Sequence, residues 1–136
     1  MNNINSKTKK DIGYKGENFV IDKLKTCGFD LYKKNIKYID SEIDIVVYKY
    51  NKNTKNLDIR VVEFKTRKDY CSDLSNFNLI RKWGFVRKYL FKIKSEIDFG
   101  FDILGYSEIH FDLALVRYHN DNFYLYNYIK DVNLIL

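Results

Sequence analysis

Apolar residues recur along this chain with two periods, and the changes of period divide it into seven elements behind a polar tail. Residues 1–10 are polar and basic and read as a mobile tail. Over residues 13–27, Phe19, Val20, Ile21 and Leu24 return at three- and four-residue steps, the spacing of a helix with one buried face. Gly28 follows as a stop. Residues 29–38 alternate weakly and are expected as a first strand. Residues 41–50 and 57–67 are dense in Ile and Val, and the turn-forming run Asn51-Lys52-Asn53-Thr54-Lys55-Asn56 joins them as a hairpin. A second helix is expected over residues 73–94, capped by Ser72 or Asp73, with Phe77, Ile80, Gly84, Tyr89, Leu90 and Ile93 on its apolar side. Residues 99–107 read as a loop, and residues 109–118 and 123–129 as two last strands. Helix, three strands, helix, two strands predicts one α/β domain over residues 11–136.

Charge interrupts two of these strands where a buried strand should carry none. The first reads Ser41-Glu42-Ile43-Asp44-Ile45-Val46-Val47 and the second Val61-Val62-Glu63-Phe64-Lys65-Thr66-Arg67. Side chains alternate across a strand, so Glu63 and Lys65 share one face, and Asp44 falls with Val46 and Tyr48, opposite Ile43, Ile45 and Val47. If the strands are neighbours, two carboxylates and an ammonium converge. A third acid joins them on helical grounds. Glu17 precedes Val20, Ile21 and Leu24 by three, four and seven residues, which puts it on the apolar stripe rather than the solvent face. A carboxylate there must meet a metal, a wet cleft or a cation such as Lys65.

Composition narrows the classes. The 136 residues suit one domain, and the 12 tyrosines and 10 phenylalanines favour a β-containing core. No apolar run approaches the ~20 residues that span a bilayer, and the amino terminus lacks a secretory pattern. Cys27 and Cys71 have no metal-ligand spacing. The expectation is a cytoplasmic protein with no membrane partner. Net charge is +6, with the basic excess in residues 1–100 and residues 101–136 net acidic. Arg67 and Lys68 extend the basic side beyond Lys65, while Arg81, Lys88 and Lys92 form a ridge on the second helix. Such a field around a small acidic cluster suits a polyanion whose phosphate must reach a metal. His110 and His119 show no ligand spacing and no serine or cysteine pattern for catalysis, and Gly13 and Gly16 do not spell a phosphate loop.

The chemistry these residues can supply is metal-assisted phosphodiester hydrolysis. Mg²⁺ takes oxygen ligands, commonly one or two carboxylates plus substrate phosphate. Asp44 and Glu63 are the candidate ligands, with Glu17 acting through water or on a second ion. Lys65 is the candidate to orient water or stabilise developing charge.

Four blocks then carry a resemblance. Gly13-Tyr14-Lys15-Gly16-Glu17, Ser41-Glu42-Ile43-Asp44-Ile45, Val62-Glu63-Phe64-Lys65-Thr66-Arg67 and His110-Phe111-Asp112-Leu113-Ala114-Leu115-Val116 resemble, in order and spacing, those of the YraN-like family. That family lies in the PD-(D/E)XK, restriction-endonuclease-like superfamily, near the archaeal Holliday junction resolvases. The resemblance implies a restriction-endonuclease-like fold, a central mixed sheet flanked by helices in the order α-β-β-β-α-β(-β). It also implies a Mg²⁺ site, with Mn²⁺ as substitute, on Glu17, Asp44 and Glu63, with Lys65 as catalytic lysine. The implied function is a DNA endonuclease acting on branched or otherwise structured DNA, and a homodimer follows by analogy. Arg67, Lys68, Asn78, Arg81 and Lys88 are the expected nucleic-acid contacts. Departures fall at Ser41, at His110, and at Asn78, which stands where a Lys or Gln is usual and for which Arg81 would substitute. The competing expectations are a nucleic-acid-binding module without turnover, and an interaction subunit whose acids merely pair with Lys65 and Arg67.

Overall fold

Two layers of helix are laid on opposite faces of one sheet, and the period changes in the sequence mark where each begins. The computed structural model describes residues 9–68, 79–101, 106–120 and 122–132. Residues 1–8 of the tail expected over 1–10, the cap at Ser72 or Asp73, and Phe77 and Asn78 lie outside the described residues, as do the side chains of Arg67, Lys68 and Ile80. Lys9 and Lys10 belong to the first helix rather than to a tail. Helix α1 spans Lys9–Thr26, and strands β1 (Asp30–Lys37), β2 (Glu42–Asn51) and β3 (Asn56–Lys68) follow. Helix α2 is Leu79–Phe101, and β4 (Ser107–His119) and β5 (Asn122–Ile129) complete the order. The five strands run β1-β2-β3-β4-β5 across the sheet; β3 and β4 are parallel and every other pair is antiparallel. The protein is therefore α/β with a mixed sheet and two helices, in the element order expected. No helix among the described residues is long and apolar enough to cross a membrane.

The faces of β3 sort the core. Val62 and Phe64 pack with Val20, Ile21 and Leu24 of α1, and Ile45, Val47, Ala114 and Val116 join them. Leu57, Ile59 and Val61 pack with Val86, Ile93 and Ile97 of α2, and Phe111, Leu113 and Leu115 join from β4. The α2 stripe keeps the expected Tyr89, Leu90 and Ile93 but has further members beside them. It runs Trp83, Val86, Leu90, Ile93, Ile97 and Phe101, and the helix continues seven residues past Lys94 because Ile97 and Phe101 prolong that stripe. Phe101 closes it with ring centroids 5.0 Å from both Tyr48 and Tyr50. Trp83 stacks on Phe111 at 5.5 Å.

Strand β2 breaks its own alternation. Ile45 and Val47 face α1, yet Ile43 joins Val46 on the α2 side, against strict period two. That slip sits at Asp44, and it is where the β2–β3 ladder ends, since Ile45↔Val62 is its last pair. From Glu63 to Lys68, β3 pairs only with β4. At the same level of β1, Asn35 lies between the paired residues Lys34 and Ile36 with φ 53°, the left-handed conformation that asparagine tolerates best among non-glycine residues. Three adjacent strands thus depart from regularity in one row, where the sheet opens.

Candidate functional site at the opening of the central strands

The opening gathers three charged side chains from three elements: Asp44 of β2, Glu63 of β3 and Lys82 of α2. Continuing the ladder by one step puts Asp44 opposite Glu63. The strands have parted there, and the Asp44 carboxylate replaces the missing ladder bond: the Phe64 amide donates to its Oδ2 at 3.2 Å. Glu63 is only 5% exposed, on the α2 side of β3. Burial and then the neighbouring Asp44 carboxylate, which is also its hydrogen-bond partner, push the Glu63 carboxyl up to about 8.

One cation offsets this pair. Lys82, on the first turns of α2, sets its ammonium 3.3 Å from Glu63 Oε2 and donates to the main-chain carbonyl of Glu42. Its attraction lowers the Glu63 pKa but does not outweigh burial and Asp44. Glu63 Oε2 is buried with no properly directed hydrogen bond, so its contact with Lys82 is an ion pair alone. Lys82 was missed in the sequence reading, which weighed Asn78 and Arg81 for an early cation on this helix. Neighbouring residues on a helix point about 100° apart. Arg81 is exposed, its guanidinium 5.6 Å from the Phe85 ring, while Lys82 turns inward.

Glu17 is buried, at 5% exposure, as its stripe position implies. Its carboxylate accepts from Asn35 Nδ2 at 3.1 Å and lies 3.6 Å from Lys34 Nζ, so the lysine it meets belongs to β1. Gly16 explains how α1 comes so close: a Cβ there would lie 2.6 Å from Thr66 Oγ1 and 3.6 Å from the Phe64 ring. Lys65 follows Glu63 on the same strand, half-buried, beside Leu115 in the β3–β4 register. Among the described residues no three His, Cys, Asp or Glu side chains lie together closely enough to hold a metal ion. The structure thus unites Asp44 and Glu63 and sets Glu17 with Asn35 and Lys34.

Of the expected nucleic-acid contacts, Asn78 and the side chains of Arg67 and Lys68 are outside the described residues. Arg81 and Lys88 flank the Phe85 ring, and Lys88 bridges to Asp40 at 2.8 Å. That bridge, with the hydrogen bond from Tyr89, lowers the Asp40 pKa. Tyr38 stacks on Tyr89 at 3.8 Å beside the same turn, and Lys92 covers the Tyr38 ring at 5.7 Å.

A third buried acid was not singled out in advance. Asp112 on β4 is fully buried. It takes Arg60 Nη1 at 3.4 Å, the Tyr128 hydroxyl at 2.6 Å and the Asp131 amide at 2.9 Å. Burial pulls Arg60 down, but Asp58, Asp112 and Asp131 outweigh it and leave its pKa raised. Burial and then Asp112 also raise Tyr128. A cavity of about 370 Å³ opens beside this cluster, lined by Val20, Leu24, Phe29, Arg60, Asp112 and Tyr128 among others. Since Asp112 is satisfied on all sides, the cluster reads as a structural clamp.

No model of a known protein family matches this chain, and no curated protein sequence matches it.

Proposed function

We propose that this chain is a divalent-metal-dependent DNA endonuclease with a restriction-endonuclease-like core, similar to the YraN-like family and selective for branched or otherwise structured DNA. One observation carries the reading: carboxylates from adjacent strands, Asp44 and Glu63, meet at the point where the sheet opens, and burial beside Asp44 makes Glu63 hold its proton up to about 8. Structural acids are satisfied by donors, whereas acids crowded onto each other are poised to exchange that proton for a cation.

The residues fit a Mg²⁺ or Mn²⁺ ion. Asp44 and Glu63 offer carboxylate oxygens, the Glu42 carbonyl lies beside them, and Glu63 Oε2 lacks a directed hydrogen bond. A bound Mg²⁺ ion supplies a water of lowered pKa and neutralises charge on the scissile phosphate. Asp44 and Glu63 hold the ion, and Asp44 also pins β2 to the Phe64 amide. Lys65, two residues along β3 from Glu63, orients the attacking water and meets the developing charge. Glu17 acts on this site through water, its carboxylate anchored by Asn35 and Lys34. Arg81 and Lys88 contact phosphates from the second helix.

The test is cleavage of duplex, single-stranded and branched DNA with Mg²⁺ or Mn²⁺. Activity is expected in the wild type and reduced to background in Asp44→Ala and Glu63→Ala. Cleavage unchanged by both substitutions sinks the proposal. The separation of Glu17 from the acid pair favours a second reading, a nucleic-acid-binding module without turnover. It predicts salt-sensitive DNA binding with no cleavage under any metal.

A further inference from the structure

The acid pair already holds a cation. The Lys82 ammonium touches a carboxylate oxygen of Glu63 and the main-chain carbonyl of Glu42, and its side chain is only 20% exposed. A carboxylate and a peptide carbonyl are donors that hard divalent ions take. Resting on the metal-dependent reading above, we propose that Lys82 is a built-in stand-in for the metal: it balances the acids while no divalent ion is bound, and is displaced from Glu63 and Glu42 when one enters.

Two physical reasons support the exchange. A lysine and a divalent ion sharing the same carboxylate would repel each other strongly in a site this buried. The lysine can leave without unpacking anything, because its charge rides on a flexible four-carbon stem while Val86, Ile93 and Ile97 keep α2 seated on the sheet. Once displaced, the ammonium lies beside the exposed Arg81 on the same helix, where a nucleic-acid phosphate is the group it would meet. Metal and phosphate would then each favour the other's binding.

Amine acylation of the intact protein, read by peptide mass spectrometry with and without saturating Mn²⁺, tests the exchange. Exposed Lys25 serves as the reference, and ion binding is followed separately by electron paramagnetic resonance. In the wild type, Mn²⁺ should bind and Lys82 labelling should rise severalfold relative to Lys25. In Asp44→Asn both effects should be lost. Asp44-dependent Mn²⁺ binding with Lys82 labelling unchanged overturns the exchange and leaves the metal reading standing. No Mn²⁺ binding to the wild type overturns both.

Discussion

Two buried carboxylates of this protein, Glu63 and Asp112, share the sheet and live in opposite electrostatic states. Asp112 receives a guanidinium, a hydroxyl and a main-chain amide, so its lone pairs are occupied and its charge is matched. Glu63 meets one ammonium without a directed hydrogen bond and is pressed against another carboxylate. Both positions lie on or beside β3, but Asp112 faces its regular, paired stretch and Glu63 the stretch that β2 has left. Burial alone therefore does not single out a candidate functional acid; incomplete compensation does. Nor does concavity by itself, because one cavity opens beside the satisfied cluster.

Substitution should separate the two regions most sharply at Asp112. Asp112→Ala leaves Arg60, 13% exposed, without its buried partner and should cost about 3–5 kcal/mol, measured by urea unfolding. Glu63→Gln should behave in the opposite sense. The folded-state pKa of Glu63 is raised from 4.5 to about 8, so between those values the native chain keeps a proton that the unfolded chain has lost. That contribution to stability is fully present below about pH 4.5 and is lost as pH rises through about 8. Glu63→Gln should thus flatten the decline in stability and raise stability at pH 9 by on the order of 1–2 kcal/mol, with DNA cleavage abolished. A wild type whose stability does not fall across that window would erase the contrast.

Gly16→Ala probes how tightly α1 is laid on the opened end of β3. The new methyl meets Thr66 Oγ1, and the expected loss is about 1–2 kcal/mol, recovered in part by Thr66→Ala in a double-mutant cycle. The smallest effect belongs to the exposed pair of Lys88 with Asp40. Lys88→Ala should leave the melting temperature nearly unchanged and reduce the salt slope of DNA binding by about one unit.

The order of elements was legible because the apolar period changes at each boundary, and Glu17 was legible because it interrupts a helical stripe. The end of α2 was not: Phe99 and Gly100 look like a loop, although Ile97 and Phe101 continue the buried face. Asp44 and Glu63 could be paired from strand order alone, but the cation beside Glu63 could not. Its identity depends on the rotation of α2, and a shift of one residue exchanges Arg81 for Lys82. Asn35 read as one more strand position, since no local pattern announces a left-handed residue inside a strand. Asp112 stayed hidden because its partners, Arg60, Tyr128 and Asp131, come from separate segments that only the sheet brings together.

The most direct measurement is a crystal structure of the protein soaked in Mn²⁺, read from anomalous scattering. The account predicts an ion ligated by carboxylate oxygens of both Asp44 and Glu63, with the Lys82 ammonium withdrawn from Glu63. At saturating Mn²⁺, an undisturbed pairing of Lys82 with Glu63 and no ion at the two carboxylates would contradict it.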